Sequence, residues 1–181
     1  MLLLSNKLLN TSILSLRTGG QIAQTYAYLV NPDNLKIEGF HCHVRSDKQD
    51  HILLHQDIRN IIDQGIIIND HDVLSAPGDL IRLKDIINLN FSLIGKSVVT
   101  SSKHKVGKVK DFAFDSTSFY VQKLYVSQSV IKNLGTSQLS IDRSQIVEVT
   151  DTKIIIHELV ETAKVKSPAA VPAPSSAGSS A

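Results

Sequence analysis

Four histidines and the only cysteine of the chain fall between residues 41 and 55, and these side chains are the best suited to bind a metal ion. On a strand, His41 and His43 share one face while Cys42 points to the other. Neutral imidazole is a good ligand for Zn²⁺, so His41 and His43, joined by His51 or His55, are candidate ligands. The paired-cysteine spacing of structural zinc sites is missing. We therefore expect ordinary strand and loop histidines, a small buried cysteine, and no bound metal or cofactor.

No group of residues predicts an enzyme. Cys42 lacks a helix N-terminus to activate its thiol, and the histidines beside it project to the opposite side of the strand. The Asp70-His71-Asp72 triplet is predicted to be a solvated loop and not an acid–base pair. Thr18-Gly19-Gly20 lacks the Gly-Lys-Ser/Thr of a phosphate-binding loop. We expect no catalytic residues.

Positive charge is concentrated in the second half of the chain. Residues 1–90 hold 8 Lys and Arg against 10 Asp and Glu, whereas residues 91–181 hold 11 against 7. Five of the basic residues lie close together: Lys96, Lys103, Lys105, Lys108 and Lys110. Lys103, Lys105, Lys108 and Lys110 are the predicted contacts for an anionic partner, either RNA phosphate or an acidic protein.

The alternative for these lysines, which we favour, is a solvated hairpin whose charges prevent edge-to-edge aggregation of strands. Aromatic residues make up only 5% of the chain, and Trp is absent. A surface that stacks single-stranded bases needs several exposed rings, so this composition argues against such a surface.

Short β-branched runs separated by turn residues recur along the chain, a pattern typical of a β-barrel or β-sandwich. The runs also repeat. Residues 8–15 align with residues 93–100 at an offset of 85, and residues 21–42 align with residues 105–126 at an offset of 84. Farther on, Asp57 is matched with Asp142 at an offset of 85, and the Ile-Ile-Ile at 66–68 with that at 154–156 at an offset of 88.

This repeat predicts a mostly all-β chain that contains two small β-barrels in tandem with short helical turns. Residues 1–78 are the first, degenerate copy, 79–90 are a connector, and 91–161 are the second copy. Residues 162–181 are rich in Pro, Ala and Ser. Such residues bury too little apolar area to offset the entropy of ordering, so they are predicted to be a disordered tail.

The second copy resembles the PRC-barrel family. Residues 93–101 read L-I-G-K-S-V-V-T-S, residues 105–111 read K-V-G-K-V-K-D, and Phe114-Asp115 follow. The resemblance marks four structural positions: Gly95, Gly107, Asp111 and Asp115. Gly95 and Gly107 suit places where a strand bends or another backbone comes close. Strict alternation would mix lysines with core residues on one face of this strand, so we expect a bulge near Lys110 and Asp111.

The resemblance implies docking and not catalysis. Similar modules occur in the photosynthetic reaction centre H subunit, in a ribosome maturation factor and in many stand-alone bacterial proteins. We therefore expect a non-enzymatic adaptor that binds another protein. The alternatives are an RNA- or ribosome-associated assembly factor that uses the lysines between Lys96 and Lys110, or a metal-binding protein that uses His41 and His43. A single cysteine and the lack of a long apolar run or signal peptide predict a cytoplasmic location without membrane insertion.

Overall fold

A computed structural model describes residues 1–45, 47, 49–127 and 138–158 of the chain. The predicted tail at 162–181 lies outside these described residues. The described residues are mostly β-structure, as predicted, and form two sheets and one short α-helix. Within the described residues both sheets are open, so no closed barrel is found. No helix in this part of the chain is long and apolar enough to cross a membrane.

The helical segments are short. The α-helix α1 spans Lys84–Leu89, and single 3-10 turns occupy Ser5–Lys7, His55–Asp57, His71–Val73, Pro77–Asp79, Ile81–Leu83 and Arg143–Gln145. The strands are, in chain order, β1 (Leu2–Leu4), β2 (Ser12–Ser15), β3 (Gln21–Asn31), β4 (Lys36–Val44), β5 (Asp50–Leu54), β6 (Ile58–Ile62), β7 (Gly65–Ile68), β8 (Leu74–Ser75), β9 (Ser97–Thr100), β10 (Lys105–Asp115), β11 (Val121–Ser127), β12 (Gln138–Asp142), β13 (Ile146–Val149) and β14 (Lys153–Ile156).

Both sheets follow the same strand order. The first runs β6-β7-β2-β3-β4-β5 and the second runs β13-β14-β9-β10-β11-β12. Each contains one parallel pair, β2 with β7 and β9 with β14, among otherwise antiparallel neighbours. The additions at the edges differ. β8 pairs with β5 in the first sheet, whereas β1, at the start of the chain, pairs with β10 of the second sheet.

The hydrogen-bond register corrects one part of the predicted repeat. Ile58 pairs with Ile68 at one end of the first sheet, and Ile146 pairs with Ile156 at the same place in the second. Matching residues here are 88 positions apart, so the predicted match of Asp57 with Asp142 at an offset of 85 is wrong. The shift from 84 to 88 arises because the chain between β11 and β12 is longer than the chain between β4 and β5.

The predicted bulge in β10 is confirmed. The pairing of β10 with β11 shifts register between Val109 and Asp111, and its pairing with β9 shifts between Lys105 and Gly107. A bulge adds one residue to a strand and changes which side chains point inward. The strand can therefore bury Val109 and Phe112 while three lysines on it stay exposed.

Aromatic rings join the two sheets into one core. The Tyr28 ring of β3 lies 5.2 Å from the Phe112 ring of β10, measured between centroids. Phe119, which precedes β11, packs 6.4 Å from Phe40 of β4 and 6.0 Å from Phe114. Fully buried apolar residues of both halves belong to this single cluster. The hydrophobic driving force is therefore shared between the sheets.

Backbone groups also link the halves, in a reciprocal way. The N–H of Ile37 donates to the carbonyl of Phe119 at 2.8 Å, and the N–H of Val121 donates to the carbonyl of Leu35 at 2.9 Å. Leu35 and Phe119 stand 84 positions apart and both have left-handed backbone conformations, with φ of 54° and 59°. Arg143 adds a side-chain link, because its Nη2 donates to the carbonyl of Asn34 at 2.6 Å.

Candidate functional site

The structure separates the four histidines that were candidate metal ligands. His41 and His43 lie on the outer face of β4, and Cys42 between them is fully buried, as the alternation predicted. His51 stands opposite Cys42 in the pairing of β4 with β5, so its side chain lies on the other face of the sheet. His55 follows β5, where its ring packs 5.3 Å from Phe119.

His41 and His43 belong to a small polar cluster around Asp50. The Asp50 carboxylate accepts a hydrogen bond from the Tyr26 hydroxyl at 2.6 Å and lies 3.0 Å from Nδ1 of His41. The Tyr26 ring stacks on His43 at 4.2 Å between centroids. Burial and the hydrogen bond to Asp50 raise the pKa of Tyr26. In the described part of the chain, no three His, Cys, Asp or Glu side chains are arranged to hold a metal ion.

Cys42 has the environment of a packing residue. Its side chain is inside the core, and burial, with a smaller contribution from the Asp50 charge, raises the pKa of the thiol to about 12. A thiol with such a pKa holds almost no thiolate at neutral pH, and the thiolate is the nucleophile. This position does not favour covalent chemistry.

Asp70 is not part of a solvated loop, which corrects the prediction for the first residue of the Asp70-His71-Asp72 triplet. Its side chain is only 8% exposed and accepts hydrogen bonds from the Ser15 hydroxyl at 3.0 Å and from Arg17 Nη1 at 2.8 Å. The backbone N–H of His71, followed by the side chains of His71, Ser15 and Arg17, lowers the pKa of Asp70 to about 2. His71 and Asp72 are exposed, as predicted.

Three lysines stand in a row on the solvent side of β10, and a fourth lies in the turn before it. Lys105, Lys108 and Lys110 are exposed, while Val106 and Val109 between them are buried. Lys103, in the turn, has a left-handed backbone with φ of 71°. We call the four residues the lysine face: Lys103, Lys105, Lys108 and Lys110.

The lysine face has no carboxylate partner among the described residues. Among the residues that the structure describes, no carboxylate oxygen lies within 4 Å of its four ammonium groups. Two other lysines of the same half differ from them. Lys96 lies 4.3 Å above the Phe91 ring and donates to the carbonyl of Asp151, and Lys123 pairs with Asp142 at 2.8 Å.

The turn that joins β9 to β10 holds a carboxylate that the sequence analysis missed. The backbone N–H of Ser102 donates to Oε1 of Glu158 at 2.8 Å. The Thr100 hydroxyl lies 2.9 Å from that of Ser102, which in turn lies 3.0 Å from Nδ1 of His104. We call residues 100–104 the 100–104 turn. A comparison of Glu158 with Asp70, which stands 88 positions earlier and follows the corresponding strand of the first sheet, could have indicated this contact.

The four positions marked by the family resemblance have surroundings that fit structural roles. A Cβ on Gly107 would lie 2.1 Å from the carbonyl oxygen of Ser127, so only glycine fits that approach, and Gly95 has φ of 85°. Asp111 accepts a hydrogen bond from the Ser5 hydroxyl at 2.5 Å. Asp115 closes a turn by accepting from the N–H of Ser118 at 2.8 Å, which holds the pKa of its carboxyl well below the usual range.

Comparison with known proteins adds no relative to this picture, because no family model and no curated protein matches the chain. The geometry is therefore the basis for a functional proposal. The feature with the clearest chemical meaning is the lysine face, since its charge is exposed, of one sign, and held on a strand anchored in the core.

Proposed function

We propose that the chain is a non-enzymatic adaptor of the PRC-barrel type, built from two copies of one β-module. Its lysine face binds an acidic surface of another protein. One observation carries the proposal: four exposed ammonium groups follow one another along the β9–β10 turn and β10, with no carboxylate neighbour among the described residues. Single-sign charge on a rigid element attracts an oppositely charged partner and orients it on approach.

The duplication is supported by the shared strand order, the parallel pair in each sheet and the reciprocal hydrogen bonds of Leu35 and Phe119. The two copies differ in surface charge. At the repeat offset of 84, the positions of Lys105, Lys108 and Lys110 correspond to Gln21, Gln24 and Tyr26. The basic face therefore belongs to the second copy alone, which favours a specific contact over a general solubilising role.

An acidic protein fits this face better than RNA does. The outer side of β11, next to the lysines, contributes one ring, that of the half-buried Tyr125. Sequence-tolerant binding of single strands depends on aromatic rings that stack with successive bases. The face also lacks Arg, whose planar guanidinium stacks and binds phosphate with two hydrogen bonds. The separation of the histidines gives the metal-binding alternative no support.

The test compares two labelled probes on the whole chain: a Glu-rich peptide of about twelve residues and a single-stranded oligouridine of equal length. We expect the peptide to bind at low ionic strength and to dissociate as salt rises, because the Debye length falls to about 10 Å at 0.1 M salt. The variant Lys105→Gln/Lys108→Gln should bind the peptide several-fold more weakly. Lys7→Gln/Lys84→Gln removes the same charge from exposed positions elsewhere and should bind like the unchanged chain.

Three results would contradict the proposal. Binding of neither probe would remove the lysine face as a docking surface. Binding of the oligouridine alone would replace the protein partner by RNA. Equal losses in the two double variants would show that net charge, and not this face, determines binding.

A further inference from the structure

The 100–104 turn already binds an anionic group, which the chain itself supplies. Glu158 is exposed, yet its carboxylate accepts the Ser102 N–H at 2.8 Å. The hydroxyl and N–H groups of Ser102, with smaller contributions from Thr100 and His104, lower the pKa of Glu158. Lys103 lies within the same turn and Lys105 directly follows it. The donors that hold this carboxylate, with two exposed lysines nearby in sequence, would suit a carboxylate from any source.

The corresponding turn of the first half also holds a carboxylate, but through side chains of the turn and not through one of its backbone N–H groups. The N–H of Leu16 donates to the carbonyl of Ile68 at 3.0 Å, and the N–H of Ser101 donates to that of Ile156 at 2.9 Å. The two turns are therefore anchored in the same way. In the first half, the carboxylate on the turn is that of Asp70, only 8% exposed and held by Arg17. Arg17 is exposed, but the Asp70 carboxylate itself lies away from water and is held by both Ser15 and Arg17, so it is less open to displacement than Glu158.

The contact in the second half is open to solvent. No arginine holds Glu158 among the described residues, and the lysines beside the turn are exposed. The Glu158 contact is an exposed hydrogen bond to a backbone N–H, and such a bond contributes little net free energy, so an outside carboxylate can compete with Glu158.

We propose that the 100–104 turn is a binding site for a carboxylate side chain of the partner, occupied by Glu158 in the unbound protein. The partner displaces Glu158 and gains the Ser102 N–H together with the charge of the lysine face. This inference rests on the proposed function, because it names the acidic group that the lysine face selects. Glu158 then acts as a built-in competitor that weakens binding of partners with too few carboxylates.

The test uses the whole chain carrying Glu158→Ala, with Glu158→Gln as a milder change that keeps an acceptor oxygen. Glu148→Ala is the matched control, because Glu148 is an exposed carboxylate of the same half on β13. We expect Glu158→Ala to bind the Glu-rich peptide about fivefold more tightly, because the competing hydrogen bond between Glu158 and the Ser102 N–H is removed. Glu158→Gln should give a smaller gain. The control should bind within about twofold of the unchanged chain, since its charge acts only at long range.

A second readout does not depend on the peptide. The ¹⁵N–¹H resonance of Ser102 reports directly on the donor, and sodium acetate is the smallest carboxylate probe. Acetate should shift this resonance in Glu158→Ala at concentrations that leave the unchanged chain unaffected. Inorganic phosphate in a parallel titration separates carboxylate from phosphate.

The results distinguish a failure of this inference from a failure of the proposed function. If no peptide binds but acetate still shifts Ser102 in Glu158→Ala, the site stands and the proposed function fails. If the peptide binds equally to the unchanged chain and to Glu158→Ala, and Ser102 does not shift, the function stands and this inference is overturned. A Ser102 shift with phosphate alone overturns the carboxylate assignment.

Discussion

Replacing Phe119 by Ala should weaken both sheets at once. The ring is 5% exposed and touches Phe40 of the first sheet and Phe114 of the second, while the Phe119 carbonyl accepts the N–H of Ile37. Removal of a buried Phe ring costs about 3–5 kcal/mol. With a urea m-value of about 2 kcal/mol/M, the unfolding midpoint should fall by about 2 M.

Two further substitutions separate packing from backbone conformation. Phe119→Leu restores the residue type of Leu35, the matching position, and should recover most of the loss because it refills most of the volume. Phe119→Gly should be no less stable than Phe119→Ala, although it is smaller. The φ of 59° at this position costs a residue with a Cβ about 1–2 kcal/mol, and glycine avoids that cost.

Native-state hydrogen exchange provides the assay, because it reports on β3 and β4 separately from β10 and β11. In Phe119→Ala the slowest-exchanging amides of both sheets should lose protection by the same free energy. A loss confined to the second sheet, or two urea transitions, would refute the view that the sheets share one cooperative core.

Three other predictions concern single positions. Gly107→Ala should destabilise the chain by about 3 kcal/mol in urea unfolding, because the Cβ would lie 2.1 Å from the Ser127 oxygen. Gly95→Ala meets no neighbouring atom but has a φ of 85°, so it should cost less, about 1–2 kcal/mol. Asp70→Asn should lower the melting temperature at pH 7. The folded-state pKa of Asp70, about 2, lies below the unfolded value of about 3.9, so its contribution is present above pH 4 and is lost as the pH falls towards 2. Melting temperatures of the variant and the unchanged chain should therefore converge in acid, and a constant difference would contradict this account. Cys42 should not react with a thiol reagent at pH 8 unless urea is added, because its thiol is buried with a pKa of about 12. Rapid labelling of Cys42 in the folded protein would contradict this.

Local patterns predicted the strands and the bulge, because alternation and turn residues act over a few positions. Pairing partners depend on residues far apart in sequence, and those were not predictable. β1 joins the second sheet, although it stands at the start of the chain. The offset of 88 was predicted for residues 66–68 but was missed at Asp57, because an Asp recurs by chance at an offset of 85 and only the sheet register separates the two alignments.

In the candidate site, too, local features were predicted correctly, whereas contacts between residues far apart in sequence were not. Strand alternation placed His41 and His43 on one face correctly, since both lie on β4. The position of His51 depends on how β5 pairs with β4, and that register puts it on the opposite face. Asp70 is buried because Ser15 and Arg17, which are distant in sequence, meet it in the fold. A short polar triplet gives no sign of such partners.

The lysines of the lysine face can be replaced without disturbing the fold, so their role in binding can be tested by substitution. The core that fixes β10 consists of its inward residues and their partners in both sheets, and Lys105 and Lys108 take no part in it. The matching strand β3 forms the same pairings with Gln21 and Gln24 at these positions, so the backbone does not require lysine there. Exposed substitutions of this kind change stability by about 0.5 kcal/mol or less. A loss of binding in Lys105→Gln/Lys108→Gln can therefore be assigned to the missing charges and not to unfolding, provided that its urea midpoint equals that of Lys7→Gln/Lys84→Gln.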